Sequence, residues 1–543
     1  MVMRIIAKGK QVVSSEQNTI LSAATVIAII FAFSAVLGII RNRLLAGYFG
    51  DSPELSIYFA ADVIPSLIFT LIISGSLSSA FIPVFTQGYK KSHKEGWDIT
   101  TGVLNVTLVL LLIFSVLVFI FSEFIVTELI GRNSELTHAQ IDLMVQLMRI
   151  MMIAQVPLIM SSIFTSILQS FNKFVVSALA PVLYNVGIIT FIILFAPTLG
   201  VYAPALGMIF GSLLHMGIQI PMVKNLGFKY RFQMMWKNRS VWKVYKLMIP
   251  RTIGQAAQKM LIPLYTNLAL YISLPSNVIF TFAYDIQSLP VRLFGVSIGQ
   301  AALPFLSRSY EADNKTEFKA LLIKTIHEVI YFVLPVSIMI IVLRVPIVRL
   351  TVGSDKYSWE ATVMTAYSLA FFSLSLIPQS LIMILARSYY AMQNTKTPLY
   401  YSIISISINA VLAIYFVHVL SFGVWSLALA YTIGSFINCG LLMWGLRKRL
   451  GGVDLIAFIG PINKILIASL IMGVALYIPL KLMDQLVFDT TRTIWLIVLT
   501  GIVFIIGFFT YILLSKIFKI EELRMFTIAI RKVKEMLVRK PAV

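Results

Sequence analysis

Runs of about 20 apolar residues recur fourteen times along this 543-residue chain, and runs of that length admit very few folds. They are 20–46, 57–83, 103–126, 143–169, 176–196, 201–222, 247–271, 277–304, 321–343, 362–387, 398–418, 423–446, 462–483 and 493–515. Inside a bilayer every backbone polar group must be satisfied by the protein itself, which leaves helices or a closed barrel. The runs are continuous and do not alternate with period two, so a barrel is excluded. The expected fold class is an all-α polytopic membrane protein of about fourteen transmembrane helices. The second and eighth runs carry several glycines and serines and are the least regular as helices. Composition agrees, because 12% charged residues is half of the roughly 25% that a soluble protein uses to cover its surface.

The loops carry the +21 net charge unevenly. One set holds Lys90, Lys91 and Lys94; Lys173; seven Lys and Arg within 223–246; Arg308, Lys315 and Lys319; Arg387 and Lys396; and Arg447, Lys448 and Arg449. The intervening loops are short and almost uncharged, near 197–200, 272–276 and 419–422, or mixed, as with Glu128, Arg132 and Glu135. The positive-inside rule places the basic set, and with it both termini, in the cytoplasm. Basic charge between membrane spans fits topology and anionic phospholipids, not nucleic acid. Cys439 is the sole cysteine and the five histidines have no ligand spacing, so neither a disulfide framework nor a metal site is expected.

The chain repeats itself. Phe59-Ala60-Ala61-Asp62 returns as Phe282-Ala283-Tyr284-Asp285, Ala80-Phe81-Ile82-Pro83 as Ala302-Leu303-Pro304, Asn172-Lys173 as Thr395-Lys396, and Asn185 as Asn409. A nearly constant offset over six helices implies two parallel-repeat six-helix lobes plus two C-terminal helices, an arrangement suited to alternating access. The expected organisation is an N-terminus over 1–19, an N-lobe over 20–222, a basic linker over 223–246, a C-lobe over 247–446, the last two helices with their loop over 447–515, and a basic amphipathic tail over 516–543.

Several stretches resemble the MurJ (MviN) lipid II flippases of the MOP superfamily. They are Gly38-Ile39-Ile40-Arg41 with Tyr48-Phe49-Gly50, then Gly75, Ser78 and Ala80–Pro83; Ala178–Asn185; Leu293–Gly299 with Leu303-Pro304 and Ser307-Arg308; and Ala386–Ala391 with Thr395–Pro398. The resemblance spans about residues 20–450 and implies translocation of undecaprenyl-pyrophosphate-linked peptidoglycan precursor. It further implies a bacterial cytoplasmic-membrane transporter serving cell-wall biogenesis and cell shape, with other cell-wall synthesis proteins as partners. The chain departs from the family at Ala35, Asn42, Phe69, Thr70, Ser74 and Ile286, where basic or acidic residues are usual. Either other cations stand in, or the substrate is a different lipid-linked oligosaccharide.

An ionisable residue inside a membrane helix costs about 2.5–3.5 kcal/mol on insertion scales, so one that persists is a functional candidate. Arg41, Arg43, Arg251, Lys259 and Arg292 are the candidates for a cationic substrate cleft. Asp62, Asp285 and Asn409 are candidates for structural or coupling roles, whereas Arg149, His215 and Asn185 suit snorkelling or helix–helix contacts. Buried cations outnumber buried carboxylates, which favours an anionic cargo over a cationic drug and suits arginine's bidentate grip on phosphate oxygens. No GxxxxGK[ST] loop is present, so coupling to a Na+ or H+ gradient or to the membrane potential is expected, with no cofactor. The rival readings are a flippase for another lipid-linked oligosaccharide, a cation-coupled drug exporter, and a polyprenyl-dependent glycosyltransferase or ligase. The last wants a large outward loop with catalytic carboxylates, and the outward loops are short.

Overall fold

A computed structural model describes residues 20–73, 76–132, 134–233, 235–452, 455–489 and 492–524, with the side chains of all but 20–29, 76, 79, 250, 251, 253–258 and 455–457. Every regular element among the described residues is a helix, with no strand. The helices are α1 Ile20–Phe49, α2 Pro53–Ile73, α3 Ser76–Lys91, α4 His93–Phe124, α5 His138–Ser170, α6 Phe174–Leu199, α7 Tyr202–Gly217 and the short α8 Ile220–Asn225. There follow α9 Arg239–Lys259, α10 Leu261–Ile272, α11 Leu274–Pro290, α12 Ser297–Glu311, α13 Lys315–Val342, α14 Arg344–Thr351 and α15 Trp359–Ala391. The last four are α16 Lys396–Ile414, α17 Trp425–Arg449, α18 Leu455–Leu486 and α19 Thr493–Ile517.

Among the described residues, thirteen helical stretches are long and apolar enough to cross a membrane. The chain is a multi-pass integral membrane protein. The expected seventh span, 247–271, is two helices, α9 and α10, which meet at Met260. Pro263 explains the break: it has no N–H for the Lys259 carbonyl four residues back, and its ring crowds that carbonyl. The eighth run is irregular as expected, passing through a π-helical turn over Val291–Val296. The second is described as α2 and α3, and residues 74 and 75 between them lie outside the described residues.

The helices gather into two compact units, comprising the described residues of Met1–Val278 with Thr351–Ala361, and of Ile279–Leu350 with Thr362–Val543. The first unit extends past the 223–246 linker because α9 packs on α2, α3 and α4, and α10 on α2. Within it, α6 and α7 come together at glycine: a Cβ on Gly187 would run into the backbone of Gly211. Small residues allow such close approach, and with it the dispersion contacts that hold helices together in lipid. The linker itself is packed. Asn105 Nδ2 donates to the carbonyls of Arg231 (2.9 Å) and Gln233 (3.0 Å). Tyr245 Oη donates to Val103 O at 2.9 Å and lies 2.7 Å from Thr107 Oγ1, and burial pushes its phenol above the ordinary tyrosine range. At the turn after α1, Gly50 has φ +66° with the Lys356 carbonyl where a Cβ would sit, so glycine is required there.

In the second unit α13 packs on α18, α18 on α19 and α16 on α17. Beyond α19 the chain folds back: Ile520 is buried, and Glu522 Oε1 lies 3.8 Å from His327 Nδ1. The basic amphipathic tail expected over 516–543 lies outside the described residues beyond residue 524.

Candidate functional site

The two cations deepest in the apolar runs sit where helices lose their regular ladder. Lys259 is the last residue of α9, half-buried and next to the break that Pro263 enforces. Arg292 is the second residue of the π-helical turn that follows Pro290, and it is exposed. Pro290 denies a hydrogen to the Ile286 carbonyl, so the ladder slips to the wider π repeat. At membrane depth such irregular backbone persists where it is sheltered by protein or lines a water-filled cavity. Arg251 belongs to α9, but its side chain lies outside the described residues.

Glycines let the π turn lie against α15. A Cβ on Gly295 would strike Ser380, and one on Gly299 would strike the Arg387 guanidinium. Arg387 uses that space to donate from Nη1 to the Val296 carbonyl at 2.7 Å. Sequence reasoning placed Arg387 among the loop charges, although it reaches back from within α15 to the turn bearing Arg292. A polar chain lies nearby in the same unit: Tyr431 Oη donates to Gln379 Oε1 (3.1 Å), and Gln379 Nε2 to Gln287 Oε1 (3.2 Å). Tyr284 shares a hydrogen bond with Tyr431, and its hydroxyl feels both Asp285 and Arg292. The two glutamines, isolated inside apolar runs, were the available signal for this network.

The first unit holds a parallel arrangement. Arg41 Nε and Nη2 donate to Asn42 Oδ1 at 3.3 and 3.2 Å, and Nη1 to Asn185 Oδ1 at 3.4 Å. Asn185 Nδ2 continues to Ser34 and to the Pro181 carbonyl, so α1 and α6 share one network. Arg41 and Asp62 both act electrostatically on the hydroxyls of Tyr58 and Tyr184, while Ser66 donates to Asp62 Oδ2 at 2.8 Å. Each unit therefore sets an aspartate and an arginine near tyrosine hydroxyls. Arg43, two residues from Arg41, is half-buried and engaged in further interactions.

Other ionisable and polar groups hold helices together. Arg149 donates to Ser122 Oγ (3.1 and 2.8 Å) and to the Phe119 carbonyl (3.1 Å), with its guanidinium 5.7 Å from the Phe119 ring centre. His215 Nδ1 lies 2.6 Å from Ser161 Oγ, which also takes a hydrogen bond from Gln219. Asn409 is 4% exposed and packs against Gly434 of α17. No group of three or more His, Cys, Asp or Glu placed to hold a metal ion occurs among the described residues.

Residues 45–499 match the family model described as lipid II flippase MurJ. A probable lipid II flippase MurJ from Buchnera aphidicola subsp. Acyrthosiphon pisum is 27% identical over 468 residues, covering 84% of this chain and 90% of the relative. One from Vibrio cholerae is 26% identical over 439 residues, covering 79% of this chain and 83% of the relative. A solved structure of lipid II flippase MurJ in an inward closed conformation superimposes with TM-score 0.75 at 26% identity, covering 91% of this chain and 98% of that one. An inward-facing MATE-family multidrug transporter of the MOP superfamily shares the fold, with TM-score 0.65 at 15% identity over 77% of this chain and 94% of that one.

Proposed function

The chain belongs to the lipid II flippase MurJ family, a family of transporters and not of enzymes, and we propose that it carries lipid II across the bacterial cytoplasmic membrane by alternating access, with both termini in the cytoplasm. The observation that carries the site assignment is the placing of Lys259 at the α9–α10 break and of Arg292 in the π-helical turn. A pyrophosphate is doubly anionic or more, so its oxygens accept several charge-assisted hydrogen bonds at once. In the first unit Lys259, Arg41, Arg43 and Arg251 are the candidate donors to such an anion, and in the second unit Arg292 is. Arg41 stands at the family's own arginine position, and Arg43, Arg251, Lys259 and Arg292 stand in for the charged positions that the chain lacks at Ala35, Phe69, Thr70, Ser74 and Ile286.

Neutral amides, Asn42 and Asn185, orient Arg41 without cancelling its charge. Coupling to an ion gradient or to the membrane potential supplies the work, about 2.3 kcal/mol per charge per 100 mV. Asn409 serves packing in this scheme, because it lies buried against Gly434. The test is transport of lipid II by purified protein in vesicles. Lys259→Ala and Arg292→Ala each remove a charged donor worth about 1.5–3 kcal/mol, so each should slow transport roughly 10- to 100-fold with folding near normal. Arg41→Ala should behave likewise. Wild-type rates in all three variants would refute the anion site.

A further inference from the structure

Within the second unit, α13, α15, α17 and the first turns of α18 line an open cavity of about 430 Å³ that none of the candidate pyrophosphate ligands lines. Its wall is apolar, with Ile326, Leu381, Phe436, Cys439 and Met443 among its residues, and its two cations are Lys319 and Arg447. Both cations lie at the same end. Lys319 is in the second turn of α13 and Arg447 in the last turn of α17, the ends that meet the basic loops. Among the described residues neither side chain is held by a hydrogen bond or an ion pair.

The chemistry is graded along α17. Arg447 comes first; Trp444 follows, 59% exposed, with the Lys448 ammonium 5.8 Å from its ring centre. Tryptophan beside lysine marks the headgroup level of a bilayer. Deeper come Gly440, Cys439 and Phe436, the last 52% exposed, so the cavity opens on a face that α17 leaves uncovered within its unit. From Arg447 to Phe436 the helix rises roughly 16 Å at 1.5 Å per residue. That is close to half of the ~30 Å hydrocarbon core, the depth of one leaflet. The floor at Phe458 is pinned, because His327 Nε2 sits 2.9 Å from the Phe458 carbonyl.

We propose that this cavity is a binding site for an anionic phospholipid of the phosphatidylglycerol type, its phosphate held by Lys319 and Arg447 and one acyl chain lying along α17. This goes beyond the flippase reading and does not rest on it. Charge complementarity selects the occupant: two unengaged cations at headgroup level, above a wall with no carboxylate, disfavour a zwitterionic lipid relative to an anionic one. Gly440 leaves the chain its space, since a Cβ there would meet nothing within 4 Å.

Native mass spectrometry of the delipidated full chain, titrated with phosphatidylglycerol or phosphatidylcholine, tests the site. The expected result is one phosphatidylglycerol retained at least ten-fold more tightly than phosphatidylcholine. Retention should fall at least ten-fold in Lys319→Gln/Arg447→Gln, which removes the rim charges. It should fall equally in Gly440→Phe, whose Cβ has open space and whose ring adds bulk at the cavity wall, with Gly440→Leu as the milder replacement. In wild-type protein the same lipid should slow alkylation of Cys439, the chain's single thiol. Equal affinity for the two phospholipids overturns the proposal. So does undiminished retention in either set of variants. Displacement of the bound phospholipid by undecaprenyl phosphate, one for one, reassigns the cavity to the substrate's tail and overturns it as well.

Discussion

Arg387 donates to the Val296 carbonyl at 2.7 Å and thereby fixes the end of the π-helical turn on which Arg292 stands. The contact depends on Gly299, which leaves room for the guanidinium. Arg387→Ala should lower stability by about 1.5–3 kcal/mol, the usual range for a hydrogen bond to a charged group. Gly299→Ala should displace the same guanidinium and produce part of that loss. Because both variants break one contact, the double variant should be no less stable than Arg387→Ala alone, read by thermal unfolding in detergent. Simple additivity would show that the two residues act separately.

Arg149 offers a contrast, for its donors are taken up by Ser122 and Phe119. Arg149→Ala should cost about 1–2 kcal/mol, as polar contacts between membrane helices do. Lipid II transport per folded molecule should be unchanged. A loss of transport like that expected for Arg292→Ala would place Arg149 in the substrate path instead.

The spans were legible because twenty apolar residues with internal hydrogen bonding can do little but cross a bilayer. The irregularity of the eighth run was legible in its glycines and serines. The break in the seventh was not, since a hydropathy window averages over Pro263, whose effect falls on the Lys259 carbonyl. Lys259 and Arg292 stood out as charges in apolar runs, but the backbone distortions beneath them are set by hydrogen-bond registry and leave no mark on composition. Arg387 was hidden for a different reason. It lies near a basic loop in sequence, and only the packing of α15 on Gly295 and Gly299 shows that it turns inward. The arginine–asparagine network of Arg41 and Asn185 joins residues 144 apart, a distance no local pattern reports.

The orientation inferred from loop charge can be tested with single cysteines in a Cys439→Ala background. Thr198→Cys, exposed at the end of α6, should react with an impermeant maleimide in intact cells. Lys237→Cys, exposed in the basic linker, should react only after permeabilisation. Ser276 is unsuited as the outer reporter, being 3% exposed and bonded to Ser273. Labelling of Lys237→Cys from outside would invert the topology.

The most direct test of lipid II translocation is rescue of a bacterium depleted of its own lipid II flippase. The wild-type chain should restore growth and return lipid II to the outer leaflet, while Lys259→Ala and Arg292→Ala, inserted at equal levels, should not. The contradicting result is a correctly inserted wild-type protein that repeatedly fails this rescue yet restores a strain lacking an oligosaccharide flippase.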